Sequence, residues 1–395
     1  MIATTARAAR QAAERIASFV RRTPLQYSPV FSERTGAKIW FKLENRQVTG
    51  SFKLRGASNR LLTLSEEQRT RGCVAASSGN HGAAVACAMQ QLGVDGIIFV
   101  PEGTSPAKVD KIRQYGGTVE FFGTDGLDTE QHARDFAAQH DMFYLSPYND
   151  DEVIAGQGTI GVEILEQLPD VEVVFIAVGG GGLVGGVGSV LKDHAGGIRI
   201  IGCQPLASPV MARSVAAGKI VELPSEPTLS DGTAGGIEPD AITFELDQAV
   251  VDDWVEVDEE QIAAAMRLYM DSEGDVVEGA AGVAVAGLLD RAGDVAGKKV
   301  VVVICGGNVT QAANQLNLSQ PAMSNGLRRL RELFDDPLLV RTSEGMTPTE
   351  RALELEPVVR EVLGKVDLAV QPRREFEPEG SDRVFRIMAS DYAEA

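Results

Sequence analysis

Seven short apolar runs, at 38–44, 72–77, 95–101, 118–123, 171–179, 198–204 and 298–307, alternate with longer segments of helical pattern. This alternation constrains the fold more than any other feature. Strands buried on both faces read as continuous runs of Val, Ile, Leu and Phe, and strands that lie parallel need a long crossover, usually a helix. VEVVFIAVG and KKVVVVICGG meet the first condition; NHGAAVACAMQQLG, SPAKVDKIRQYGG and DTEQHARDFAAQH supply the second. Ser105 and Pro106 occupy the N-cap and first-turn positions of one such helix. The class is therefore α/β, with open twisted parallel sheets covered by helices on both faces.

The 395 residues suffice for two or three domains. Apolar residues make up 44% and charged residues 24%, globular proportions that exclude disorder of the whole chain. The 42 glycines exceed the usual share of about 7% and point to loops whose backbone approaches a ligand. A formal charge of -19 excludes nucleic-acid binding through the overall field, although a local basic patch stays open. Cys73, Cys87, Cys203 and Cys305 show no CxxC spacing and cannot form a small-domain disulfide framework, which predicts a reducing cytoplasm. Residues 1–22 alternate Ala with Arg as an amphipathic helix does, and lack the apolar core of a secretory signal. Residues 173–191 carry no charge but hold seven glycines, so they read as strand, loop and helix rather than as a membrane span.

Chemistry concentrates where the strands end. Ser51-Phe52-Lys53 follows a Gly50 turn and opens a helix; the lysine is either a solvated helix-start charge or a reacting amine. Gly179-Gly180-Gly181-Gly182-Leu183 lies between an apolar strand and a helix, an arrangement that presents free backbone N–H groups to a phosphate or simply makes a tight turn. Ser77-Ser78-Gly79-Asn80-His81-Gly82 opens another helix and offers hydroxyls and N–H groups to a carboxylate, or ordinary N-capping; His81 by itself reads as a packing or hydrogen-bonding residue. An open α/β sheet binds its ligand at such strand ends.

With VVVICGGN (301–308) as a fourth loop, these segments resemble the fold-type II pyridoxal-phosphate enzymes, in particular the serine/threonine dehydratase and serine racemase family. RTPL, KLEN, TGSFKLRGA, SSGNHG, VPEG, GGGGL, LSDG, VVEGAAG and CGGN occur in that family's order over residues 15–309. Residues 228–246 resemble in turn the dehydratases of hydroxyectoine breakdown. The resemblance implies a two-lobed body over 1–309, a small lobe of residues 50–150 being inserted in the large one, and pyridoxal 5'-phosphate as cofactor.

It also assigns roles. Lys53 would bond the cofactor's aldehyde and, once displaced by substrate, take the α-proton. Phe52 would pack on the pyridine ring, Asn80 would hydrogen-bond the ring hydroxyl, and Gly179, Gly180, Gly181, Gly182 and Leu183 would hold the phosphate. Ser77, Ser78, Gly79, Asn80 and His81 would face the amino-acid substrate, with Ser78 matching the serine that in racemases acts opposite the lysine. Cys305 would stand as a neutral partner beside the pyridine nitrogen, or as a buried apolar cysteine. Glu278 corresponds to a family acid near the cofactor and is equally a usual helix-start charge. Where metal-binding relatives carry acids this chain has Gln204 and Val210, so no metal is expected there.

After Asn308 glycine thins out and the pattern turns helical. Residues 310–371 resemble a partial winged helix-turn-helix and linker helix of LysR-type transcriptional regulators, with 335–349 as the wing; 372–395 resemble the linker and first strand of the effector domain. Ser319, Gln320, Pro321, Ser324, Arg328, Arg329 and Arg331 would approach DNA, and no acid stands between 310 and 331. The regulators' first helix should precede Thr310, where the dehydratase strand stands, so a gene fusion, a misjoined reading frame and a deliberate chimera all fit the junction. The leading expectation is a homodimeric ammonia-lyase for L-threonine, L-serine or a related β-hydroxy amino acid; racemisation and DNA-binding regulation are the alternatives.

Overall fold

The computed structural model describes residues 1–307, 331, 333–342 and 345–359. Up to residue 307 the strands are β1 (Leu25–Ser28), β2 (Lys38–Leu43), β3 (Cys73–Ala76), β4 (Gly96–Val100), β5 (Thr118–Phe121), β6 (Phe143–Tyr144), β7 (Val173–Ala177), β8 (Arg199–Pro205), β9 (Asp253–Val257) and β10 (Lys299–Ile304). They form two sheets. The larger runs β1-β2-β10-β7-β8-β9 and the smaller β5-β4-β3-β6. The smaller sheet is built entirely from chain that leaves the larger one after β2 and returns at β7.

Burial explains the sheet order. β7 and β10 are almost wholly apolar and sit at the centre of the larger sheet, where Val302 lies opposite both Phe41 and Phe175. All seven anticipated strands are present, within a few residues at their ends. Three were not anticipated. β6 has only two residues, β9 carries two acids among its five residues, and β1 has one buried residue and lies at the edge. β1 also departs from the all-parallel expectation, because it pairs antiparallel with β2. An antiparallel edge on a parallel sheet is a common closure.

The N-terminal amphipathic segment is a helix, Ile2–Ile16, that buries Ala6, Ala9, Ala12 and Ile16. Small residues let it approach closely: a Cβ added at Gly158 in helix Asp151–Gln167 would lie 2.7 Å from the Ala9 methyl and 3.0 Å from the carbonyl of Gly186 in helix Gly182–His194. The uncharged stretch 173–191 is β7, a loop and most of that last helix, and among the described residues no helix is long and apolar enough to cross a membrane.

A buried charge cluster ties these layers together. Arg55, fully buried in helix Lys53–Thr63, donates from Nε and Nη2 to the two carboxylate oxygens of Glu44, each at 2.8 Å, and from Nη1 to Glu163 at 2.7 Å. Lys42, also fully buried, pairs with Glu163 and donates to Gln167 at 2.9 Å and to the Thr23 carbonyl at 2.8 Å. Burial alone would raise the Glu163 pKa, but Arg55 and Lys42 outweigh it and hold the carboxyl below its ordinary range. Two cations and two anions thus balance.

The chain divides into two units, Met1–Met323 and Ser324–Ala395. In the second, β11 (Leu339–Thr342) and β12 (Gly345–Pro348) form an antiparallel hairpin within the stretch anticipated as a wing, and the backbone is helical over 350–359.

Arg55→Met keeps much of the volume but leaves Glu44 and Glu163 partly uncompensated. It should lower stability by about 3 to 5 kcal/mol, read from urea unfolding of the cofactor-free chain. A loss below about 1 kcal/mol would mean that the cluster is solvated rather than buried.

Candidate active site

The four loops singled out in the sequence follow β2, β3, β7 and β10, at the C-terminal ends of parallel strands. Gly50 has φ +78°, a conformation that suits glycine, and from this turn Ser51 bridges to Gly306 while Gly307 N–H donates to the Gly50 carbonyl at 3.1 Å. Phe52 N–H donates to the Cys305 carbonyl at 3.1 Å, so the segment before Lys53 is pinned to the end of β10. Lys53 begins helix Lys53–Thr63, its ammonium 5.2 Å from the centroid of the Phe52 ring and donating to the Pro147 carbonyl at 2.9 Å. The side chain stays partly accessible, yet burial lowers its pKa to about 8, against the opposing pull of Cys305 and Glu278.

The glycine loop is shaped by what packs against it. Gly179 abuts Thr233, Gly180 and Gly182 abut Tyr148, and Gly181, at φ +88°, abuts the Asp247 carboxyl. A side chain at Gly180 or Gly181 would collide with its neighbour, and one at Gly179 or Gly182 would be tightly confined. Helix Gly182–His194 starts here, and among the described residues no protein group accepts a hydrogen bond from the N–H groups of Gly180 to Leu183. Because Pro147 receives the Lys53 amine and the adjoining Tyr148 packs on the loop, amine and loop border one cleft.

A third group closes the cleft. Asn80 donates to Glu278 at 2.7 Å, and its carbonyl oxygen accepts from Lys111 at 3.2 Å. The Cys305 thiol lies 3.9 Å from the other oxygen of Glu278. Burial, reinforced by Glu278, pushes the thiol well above its ordinary pKa, so it is neutral. Burial likewise raises Glu278, while Asn80 and Lys111 pull it down. Gly306 has no side chain where the Glu278 carboxyl lies.

Ser77, Ser78, Gly79 and Asn80 are half-buried at the start of helix Asn80–Leu92, with the Ser77 hydroxyl accepting from Gly79 N–H at 3.1 Å. The His81 ring is buried against the Leu145 carbonyl at 3.0 Å; burial, then Lys53, depress its pKa to about 3. It is neutral, as a packing residue would be. Gln204 spends both ends of its amide inside the protein, donating to the Val178 carbonyl at 3.0 Å and accepting from Ala212 N–H at 2.7 Å, and Val210 is buried. Ser319, Gln320, Pro321, Ser324, Arg328 and Arg329 lie outside the described residues; Arg331 donates to the Pro337 carbonyl at 2.7 Å.

A phosphate-bearing aldehyde fits this donor set: unpaired N–H groups at a helix N-terminus for the phosphate, and a desolvated amine across the cleft for the carbonyl. Residues 16–306 match the family of pyridoxal-phosphate dependent enzymes, and the chain belongs to it, with pyridoxal phosphate as its cofactor. It is similar to an L-threonine ammonia-lyase of Thermotoga maritima, 44% identical over 300 residues that cover 76% of this chain and 74% of that one. A catabolic L-threonine dehydratase of Escherichia coli is 37% identical over 301 residues, covering 76% and 91%. Among solved structures, maize serine racemase matches with a TM-score of 0.75 at 32% identity, covering 82% of this chain and 98% of that one. Residues 300–353 separately match the bacterial regulatory helix-turn-helix proteins of the lysR family.

Sequence reading passed over Pro147, Tyr148, Lys111 and Asp247. The first two join the lysine to the glycine loop across more than ninety residues of chain, as the separation of Lys53 and Pro147 records. Tyr148 also fixes the loop before helix Ile242–Val250, its hydroxyl accepting from Glu238 N–H at 2.9 Å. Asp247 is fully buried and neither oxygen has a hydrogen-bond partner among the described residues. Burial raises its pKa well above the carboxylate range, so a neutral acid stands against the loop. The unfolded chain ionises this group near pH 4, so its contribution to stability is complete below that pH and falls as pH rises, by about 1.4 kcal/mol per unit. Asp247→Asn should therefore gain stability over the unsubstituted chain as pH is raised from 4 to 8 in thermal melts. A difference that does not change with pH would contradict the neutral acid.

Proposed function

We propose that the chain is an ammonia-lyase that dehydrates L-threonine, L-serine or a related β-hydroxy amino acid to a 2-oxo acid and ammonia. The observation that carries the reading is the desolvated Lys53 amine held at Pro147, next to the Tyr148 that packs on the glycine loop with its unpaired N–H groups; the identity to threonine ammonia-lyases supports the substrate class. The catalytic body is assigned to 1–309 with a small lobe over 50–150, the partial winged helix and linker helix to 310–371, and the remnant to 372–395. A cytoplasmic homodimer is the form expected, which light scattering of the purified chain checks.

Gly179, Gly180, Gly181, Gly182 and Leu183 would hold the phosphate through backbone N–H groups and the helix N-terminus. Phe52 would pack on the pyridine ring, Asn80 would donate to the ring hydroxyl, and the neutral Cys305 thiol would serve the ring nitrogen without supplying a full charge. When bound, the cofactor supplies an electron sink for the substrate's α-carbon. Lys53 would hold the cofactor through its carbonyl carbon and would serve as the base for the α-proton, a task that suits an amine with a pKa near the working pH. Ser77, Ser78 and Gly79, with the N–H groups that open helix Asn80–Leu92, orient the carboxylate; His81 stays neutral and holds the loop to Leu145.

Lys53→Ala should abolish 2-oxobutyrate formation from L-threonine, and residual turnover at the native rate would overturn the assignment. The pH dependence has a definite sign. Only the neutral amine attacks an aldehyde, so the rate at which cofactor-free protein captures pyridoxal phosphate should rise about tenfold per pH unit below 8 and level off above it.

Two further readings have support of their own. The match to maize serine racemase and the position of Ser78 favour racemisation at the same site, which chiral analysis of recovered serine tests. The lysR-family match favours DNA binding by Ser319, Gln320, Pro321, Ser324, Arg328, Arg329 and Arg331. If it operates, affinity for duplex DNA falls steeply with salt and is lost when Arg328, Arg329 and Arg331 all become Ala. Salt-independent retention that survives the triple change would contradict this interface.

A further inference from the structure

Lys111 has no part in the chemistry above, yet its ammonium reaches the active-site cleft from helix Pro106–Gln114 and donates to the side-chain oxygen of Asn80 at 3.2 Å. The nitrogen of the same amide donates to Glu278 at 2.7 Å. An asparagine amide can be turned over without changing its shape, so its partners alone decide which end points where. Here a cation holds the oxygen and a carboxyl holds the nitrogen. Turning the amide over would set NH2 against an ammonium and an oxygen against a carboxylate.

We propose that Lys111 is a positioning residue of this site, which locks the Asn80 amide so that its remaining N–H faces the cofactor's ring hydroxyl. The inference rests on the proposed function, in which Asn80 donates to that hydroxyl. Lys111 also supplies the counter-charge of Glu278, which is only 5% exposed. Burial lowers the Lys111 pKa and Glu278 opposes that; burial raises the Glu278 pKa, and Asn80 and Lys111 oppose it. Asp231 also raises Glu278 and the Cys305 thiol lowers it, while Lys53 interacts with it across the site. Asp231 is itself 3.5 Å from Lys108. The charge that Glu278 presents toward Cys305 and Lys53 is thereby set in part from Lys111.

The test is the affinity of the cofactor-free full chain for pyridoxal phosphate, with the visible band of the bound form, in Lys111→Met, Lys111→Arg, Asn80→Ala and the double variant Lys111→Met/Asn80→Ala. Loss of a partly buried charge-assisted hydrogen bond predicts about tenfold weaker binding in Lys111→Met, with binding restored to within about threefold by Lys111→Arg. In the Asn80→Ala background Lys111→Met should change affinity little, because the amide it acts through is gone. Unchanged affinity in Lys111→Met, or equal losses in both backgrounds, would overturn the inference while leaving the proposed function standing. Failure of the unsubstituted chain to bind the cofactor would overturn both.

Discussion

A guanidinium removed from water must find its counter-charges inside the protein, and Arg55 finds them on two separate elements: Glu44 at the exit of β2 and Glu163 on helix Asp151–Gln167. Lys42 completes the balance from within β2. Breaking such a cluster costs more than its formation gains, since each abandoned charge stays buried. Arg55 lies two residues after Lys53, on the same helix. The position of the amine therefore depends on a charge balance made two residues along the same helix, and the tight helix contacts at Gly158 and Gly186 hold the layer that carries Glu163.

Around the amine burial favours neutral forms, and Asn80 and Lys111 oppose it at Glu278. Burial raises Asp247, Glu278 and Cys305 and lowers His81 and Lys53. A cleft of this kind leaves the negative charge of a bound phosphate to the N–H groups of the glycine loop. It also keeps Lys53 close to the pH at which one amine can both bond a carbonyl and exchange a proton. Tyr148 and Pro147 make a common wall for both ends of the cleft.

Much of this was legible in the chain itself. Apolar runs marked the seven strands, most plainly the deeply buried β7 and β10, and glycine-rich strand ends marked the four loops that meet around Lys53. The signal failed where burial is partial. β1, at the edge, and β9, with Asp253 and Glu256 among its five residues, carry no such run, and β6 is two residues long. It failed again where function rests on long-range contact. Nothing local distinguishes Lys111 from the other lysine of its helix, or Asp247 from a surface acid; only the fold buries one against Gly181 and brings the other to Asn80. The similarity at the C-terminus was legible as a pattern, and residues 300–353 carry the lysR-family match, but most of the anticipated DNA-facing side chains lie outside the described residues.

The account stands on the cleft between Lys53 and the glycine loop being a working dehydratase site. The direct measurement is the visible absorption of the purified full chain, followed as L-threonine is added while 2-oxo acid release is monitored in the same sample. A cofactor band that shifts on addition, with 2-oxobutyrate accumulating, is the predicted result. A chain saturated with pyridoxal phosphate that shows no band would contradict the account at its centre.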